Sequence, residues 1–132
     1  MAIKELRKSP MMAHLLDALE KGKDIGHFGR LTVAMVGHHY LDRDELFGAL
    51  AKGEGADESE LKSLVQQAFT RDYNPPRREK ILEWQAHQDF PICPDPDDPN
   101  ACNVYRDLDL PEAVIDNIED FREQQFDAET GT

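Results

Sequence analysis

Apolar residues recur at intervals of three, four and seven along most of this chain, and each run follows a helix-starting signal. Met12, Leu15, Leu16 and Leu19 form the first such stripe, which places them on one face of a helix. Ser9-Pro10 stands ahead of it, a capping hydroxyl followed by a proline suited to the first turn. Lys21-Gly22-Lys23 closes it, with cations at the negative end of the dipole and a glycine to leave the helix. A second helix is predicted from about Gly26 to Tyr40. Its middle, Leu31-Thr32-Val33-Ala34-Met35-Val36, is apolar on nearly every side, the pattern of a central, buried helix. Six such residues could also make a strand, but the length of the segment and its lack of alternation favour helix.

The punctuation continues in the same manner. Asp42 caps a short helix carrying Leu46, Phe47 and Leu50, and Gly53-Glu54-Gly55 breaks the chain. Asp57 and Glu60 have the spacing of a capping box ahead of Leu61, Leu64, Val65, Ala68 and Phe69. Asn74-Pro75-Pro76 starts a helix with Ile81, Leu82 and Trp84. Asp89 to Asn103 holds four prolines and reads as a loop. Pro111 opens a last helix through Val114, Ile115, Ile118 and Phe121, and residues 124–132 read as a frayed tail. The expected fold is all-α, a compact bundle of about six helices with a long Pro/Asp-rich loop. No repeat and no strand–helix alternation is present, which argues against a parallel-sheet nucleotide fold.

With 132 residues the chain has the length of one domain, and a 39% apolar share suffices for a core. No apolar run approaches the ~20 residues of a membrane span, and Met1 to Lys8 is basic without the apolar stretch of a secretory signal. The net charge of -12 is unevenly spread. Residues 1–90 carry thirteen Lys and Arg against fifteen acids, whereas residues 91–132 carry two against twelve. A nearly neutral body leaves room for a local basic patch; the acidic third reads as a solvated surface or an interaction tail. Two cysteines are too few for a disulfide framework, so a reducing cytoplasm is the default expectation.

The chain has no Gly-Lys-Ser/Thr phosphate loop, no Gly-x-Ser-x-Gly elbow and no His-Glu-x-x-His, and no catalytic residue is assigned. His38-His39 are adjacent on a helix and point ~100° apart, which argues against one shared ion. His27-Phe28-Gly29-Arg30 is a better candidate site. It opens the most apolar helix, where unpaired amides beside an arginine and a histidine would suit a phosphate. Arg77, Arg78 and Lys80 stand at the start of the fifth helix, where cations are disfavoured, and call for an anionic ligand or the acidic loop Asp95, Asp97, Asp98 as compensation. Tyr73 beside them would serve as a stacking platform for a nucleic-acid strand. Cys93 and Cys102 look like half of a metal site. A four-coordinate zinc or iron–sulfur cluster needs more thiolates than the chain has, so the pair is open to being free, bonded, or weak metal candidates.

Four stretches in one order, the helix Pro10 to Leu19, Gly26-His27-Phe28-Gly29-Arg30-Leu31, Asp72-Tyr73-Asn74-Pro75-Pro76, and Ile92-Cys93-Pro94 through Cys102, give the chain a likeness from Ser9 to about Asp107. It resembles the C-terminal domain of the archaeal and eukaryotic DNA primase large subunit. That family's domain is helical, holds a [4Fe–4S] cluster through four cysteines, and contacts template and the 5′-triphosphate during primer initiation without containing the polymerase site. The resemblance implies that His27 and Arg30 contact template or triphosphate. The family's first cysteine falls near Met11 and its second near Arg77 or Arg78, so the cluster is expected to be lost, with no cofactor, and an iron–sulfur cluster or a zinc held by Met11, His14, Cys93 and Cys102 as residual alternatives. An arginine at the second position could pair with Asp95, Asp97 or Asp98.

These readings divide the chain into a basic arm (1–8), a primase-like helical domain (9–107) and an acidic C-terminal helix and tail (108–132). The expected function is a non-catalytic accessory domain that binds nucleic acid through His27, Arg30, Tyr73, Arg77 and Arg78. The expected partners are single-stranded or primer-template nucleic acid and a primase catalytic subunit or other replication protein, with no membrane. The alternative is a protein-interaction module with a vestigial nucleic-acid site, docking through its acidic end.

Overall fold

The apolar stretch at residues 31–36 lies in the middle of a helix against which four others pack. The structure, a computed structural model, describes residues 2–112 and Val114. Among them are seven helices and no strand: α1 (Ala2–Leu6), α2 (Pro10–Glu20), α3 (Gly26–Gly37), α4 (Arg43–Ala51), α5 (Glu58–Arg71), α6 (Arg78–Gln85) and α7 (Val104–Asp107). The all-α expectation holds. The central helix α3 touches α2, α4, α5 and α6, and Val33, Ala34 and Val36 are wholly buried. An apolar surface on every side needs a partner on every side, and this is the arrangement that supplies one.

The helices begin where their caps were expected. Ser9 accepts a hydrogen bond from the Met12 amide at 3.2 Å, with Pro10 in the first turn of α2. Asp42 accepts from the Glu45 amide at 2.8 Å while Glu45 reaches back to the Asp42 amide at 3.1 Å, a complete capping box on α4. Asp57 caps α5 by accepting from the Glu60 amide. Helix α3 ends at Gly37, three residues short of the expected Tyr40, and the chain turns through His38 and His39. Gly37 sits where a Cβ would lie 3.0 Å from Leu46, so its lack of a side chain lets α4 approach closely.

Two short helices depart from the expected set. The segment read as a basic arm forms α1, docked by the fully buried Leu6 and by Arg7, which pairs with Asp17 at 2.7 Å and Glu20 at 3.1 Å on α2. Helix α7 follows the Pro/Asp-rich loop, capped by Asn103. Of the helix expected from Pro111 through Val114, Ile115, Ile118 and Phe121, the described residues are the exposed Pro111 and Glu112 and the buried Val114; the rest and the tail beyond it lie outside the described residues. Among the described residues no helix is long and apolar enough to cross a membrane.

Leu15 is fully buried on the face that α2 turns to the core. Leu15→Ala is expected to cost about 2–5 kcal/mol through lost burial and a residual cavity, and Ser9→Ala about 1 kcal/mol through the lost cap. Urea unfolding followed by circular dichroism measures both.

Candidate functional site

Helix α3 opens at Gly26 behind Ile25, a residue that cannot cap with its side chain. Two residues from elsewhere take over that task. Asp24 Oδ1 accepts from the Gly26 amide at 2.9 Å, and Gln88 Oε1, from the turn after α6, accepts from the Phe28 amide at 2.9 Å. Gln88 also donates from Nε2 to the carbonyls of Ile25 and Phe90, each at 2.8 Å, which ties the start of α3 to the loop after α6. Gly26 has φ 78°, and a Cβ there would collide with the Gln88 side chain.

Arg30 is one turn further on and only 8% exposed. Its Nη1 pairs with Asp24 Oδ1 at 2.9 Å and lies 3.4 Å from the Glu54 carbonyl. The Gly26 amide first, and the Arg30 guanidinium second, hold the Asp24 carboxyl below the usual carboxylate range. The expected phosphate cradle is therefore partly filled from within the chain: two amides and one edge of the arginine already have acceptors.

What remains open is a cleft of about 420 Å³ between the start of α3 and one face of α5. His27 and Arg30 share it with Ser59, Glu60, Ser63 and Gln67. A shallower depression of about 280 Å³ shares Ser63 and Gln67 and continues past Gln66 and Thr70 to Arg71. The two form a trough along α5 in which Ser59, Ser63, Gln66, Gln67 and Thr70 stand beside an apolar wall of Ala56, Leu61 and Leu64, a grouping not apparent from residue types alone because the polar positions look ordinarily solvated.

Tyr73 and Arg77 belong instead to the connection between α5 and α6, and Arg78 is the first residue of α6. Tyr73 is half-buried and its carbonyl accepts from His39 Nε2 at 2.8 Å. Arg77 occupies the N-cap of α6. Arg78 reaches the acidic loop through a backbone oxygen, with Nη2 donating to the Pro96 carbonyl at 2.7 Å, while its Nε is buried without a hydrogen bond. Among the described residues no ion pair joins Arg78 to Asp95, Asp97 or Asp98, the partners expected for it.

Cys93 and Cys102 form a disulfide across the Pro/Asp-rich loop, with Cα atoms 5.7 Å apart, and are 1% and 2% exposed. Sulfurs joined to each other offer no thiolate, so this pair is not half of a metal site in this state. Of the other residues in the residual zinc set, Met11 is buried in the core, and His14 Nε2 lies 2.8 Å from the Pro91 carbonyl with its ring stacked on Phe90. Among the described residues the group with metal-ligand geometry is His38, His39 and Asp72. His38 Nδ1 lies 3.0 Å from the Ala34 carbonyl and Nε2 lies 3.0 Å from Asp72 Oδ1. Burial, followed by the neighbouring His38, holds the His39 imidazole below the usual histidine range. The two imidazoles lie with ring centroids 3.8 Å apart although His38, at the C-cap of α3, keeps helical backbone angles, so it is the side chains and not the backbone that bring the rings together.

No family model, no curated protein and no solved structure matches this chain.

Because the fold keeps the Asp24 carboxyl below its unfolded range, the carboxyl adds stability above pH ~4 that is lost as the pH falls through the depressed value. Asp24→Asn is expected to be less stable than the parent at pH 7, with the gap closing toward pH 3, as read from urea midpoints across pH. Thiol titration of the unreduced, unfolded protein is expected to find no free sulfhydryl, and reduction to lower stability by about 2–3 kcal/mol on the chain-entropy account of a loop this short.

Proposed function

We propose that this protein is a non-catalytic accessory domain that binds a nucleic-acid strand or its 5′-phosphate end in the trough between α3 and α5. The observation that carries this reading is the meeting of His27 and Arg30 with Ser59, Ser63 and Gln67 in one cleft. Arginine, serine and glutamine donors are the groups that hold phosphate and sugar oxygens without reading sequence. His27 is exposed at the cleft and supplies the contact that Arg30, half-neutralised by Asp24, gives only in part. Tyr73 and the arginines at the start of α6 would extend the track of the strand.

The likeness to the primase large-subunit domain fits this reading and belongs to it as a proposal. The positions matched to that family's cluster ligands are closed here by other means: Met11 lies in the core, Arg78 holds the loop by its Pro96 carbonyl, and Cys93 is bonded to Cys102. A domain so closed keeps its binding face while needing no iron. The partners that follow are single-stranded or primer-template nucleic acid and a replication protein such as a primase catalytic subunit.

Fluorescence anisotropy with a 5′-phosphorylated single-stranded oligonucleotide tests the proposal. Binding is expected at low salt, with log K falling against log salt by about 0.7 per phosphate contacted. His27→Ala and the double change S63A/Q67A are each expected to weaken it about tenfold, the size of one lost ~1.4 kcal/mol contact. Absence of any anisotropy change at 20–50 mM salt, roughly the regime where phosphate contacts are strongest, would leave the protein-interaction module as the better account.

A further inference from the structure

We propose that His38, His39 and Asp72 form a binding site for a divalent first-row transition-metal ion of the zinc class. His38 ligates through Nε2, His39 through Nδ1 and Asp72 through a carboxylate oxygen. The three side chains offer ligand atoms that all lie within 4.8 Å of one another.

The hydrogen bonds around the two imidazoles prepare them for this role. The Ala34 carbonyl only accepts, so His38 Nδ1 at 3.0 Å from it carries a hydrogen. In the neutral ring that leaves Nε2 with a bare lone pair, aimed at the Asp72 carboxylate 3.0 Å away. Two lone pairs face each other at that distance only with a proton or a cation between them. The Tyr73 carbonyl likewise fixes a hydrogen on His39 Nε2 at 2.8 Å and leaves Nδ1 as the donor nitrogen. A ligating histidine that gives its other N–H to a backbone carbonyl is the usual outer-shell arrangement of protein metal sites. The rings lie with centroids 3.8 Å apart, and one nitrogen of each falls within the 4.8 Å group that includes the Asp72 carboxylate.

One of the three spacings, that between His38 and Asp72, fits as well. Two ligands each ~2.1 Å from an ion and ~90–110° apart stand ~3.0–3.4 Å from one another, and the His38 to Asp72 separation is 3.0 Å. Asp72 is held at φ 47°, ψ 57°, a left-handed conformation that favours glycine or asparagine, at the C-cap of α5. Aspartate also tolerates that conformation, and here it sets a negative charge against a buried histidine. The His38 side chain is 3% exposed and that of Asp72 76%, so the set runs from the protein interior to the rim. Three protein ligands leave at least one coordination position for water or an anionic oxygen. The ion would pin the end of α3 to the end of α5, the turn from which Tyr73 leaves. None of this rests on the nucleic-acid reading.

Untagged protein, stripped of metal and with its disulfide intact, is titrated with Zn2+ by calorimetry and with Co2+ by visible absorption. One ion per chain is expected for each, with a cobalt ligand-field band and a rise in melting temperature. His39→Ala and Asp72→Asn are each expected to lower the affinity by more than the ~10–100-fold that loss of an outer-shell partner costs. Far-UV circular dichroism checks that each variant stays folded, and the exposed Asp72→Asn decides should His39→Ala unfold. No saturable binding near one equivalent, or unchanged affinity in Asp72→Asn, overturns the proposal.

Discussion

Burial of α3 is the constraint from which the rest of this structure follows. A helix apolar on nearly every side has no face to give to water, so α2, α4, α5 and α6 must surround it. Its ends then become the difficulty. The helix opens at Ile25, whose side chain is needed in the core and has no oxygen to lend to the first amides. Asp24 and Gln88 supply those acceptors, and Arg30, drawn inward on the same helix, takes Asp24 as its counter-charge. The burial that organises the fold thus consumes much of the anion site that an isolated α3 would have presented. What is left for a ligand lies beside the helix, where α5 lines the cleft with hydroxyls and amides.

The sequence is legible where the physics is local. Ser9, Asp42 and Asp57 are each followed within three residues by the amide they cap, and a reader needs only the spacing to place them. The all-apolar run of α3 declares a central helix for the same reason. Gln88 gives no such signal, since its partners at Ile25 and Phe28 are some sixty residues away and a glutamine in a turn reads as solvated. Asp72 and His38 are likewise distant in sequence, and the backbone offset between adjacent helical residues does not fix where two long side chains end. Helix α1 has too few residues to show a period, and α7 is shorter still.

The cysteines show how two local expectations collide with one long-range fact. Two thiols too few for a cluster and too few for a disulfide framework suggested a reducing compartment, yet Cys93 and Cys102 are bonded and buried. A structural disulfide persists where the surroundings oxidise, so the bond and a cytosolic setting pull in opposite directions. Mechanically the bond does for this loop what a metal does elsewhere. Residues 93–102 hold three prolines and three aspartates and have little with which to pack, and Gln85 and Arg78 on α6 add only two backbone contacts, to the Cys93 amide and the Pro96 carbonyl. A covalent closure that restricts the unfolded chain is an effective way to order such a segment.

Charge bears on both proposed sites. Of the formal net charge of -12, residues 91–132 hold -10, two cations against twelve acids, and residues 1–90 only -2, thirteen against fifteen, so the body that carries both sites is nearly neutral. A nucleic-acid strand reaching the α3–α5 trough gains nothing from long-range steering and must be held by contacts made within the cleft, where Glu60 is itself an opposing charge. Beyond a Debye length of about 8 Å at physiological salt the charge of the acidic third is largely screened, so the contacts in the cleft act once the strand is seated. For the proposed ion the nearby groups decide: Asp72 stands at the rim, and each of the two imidazoles has one ring nitrogen against a backbone carbonyl. Both proposed sites therefore depend on close, short-range complementarity, the trough on its donors and the cation site on its three side chains.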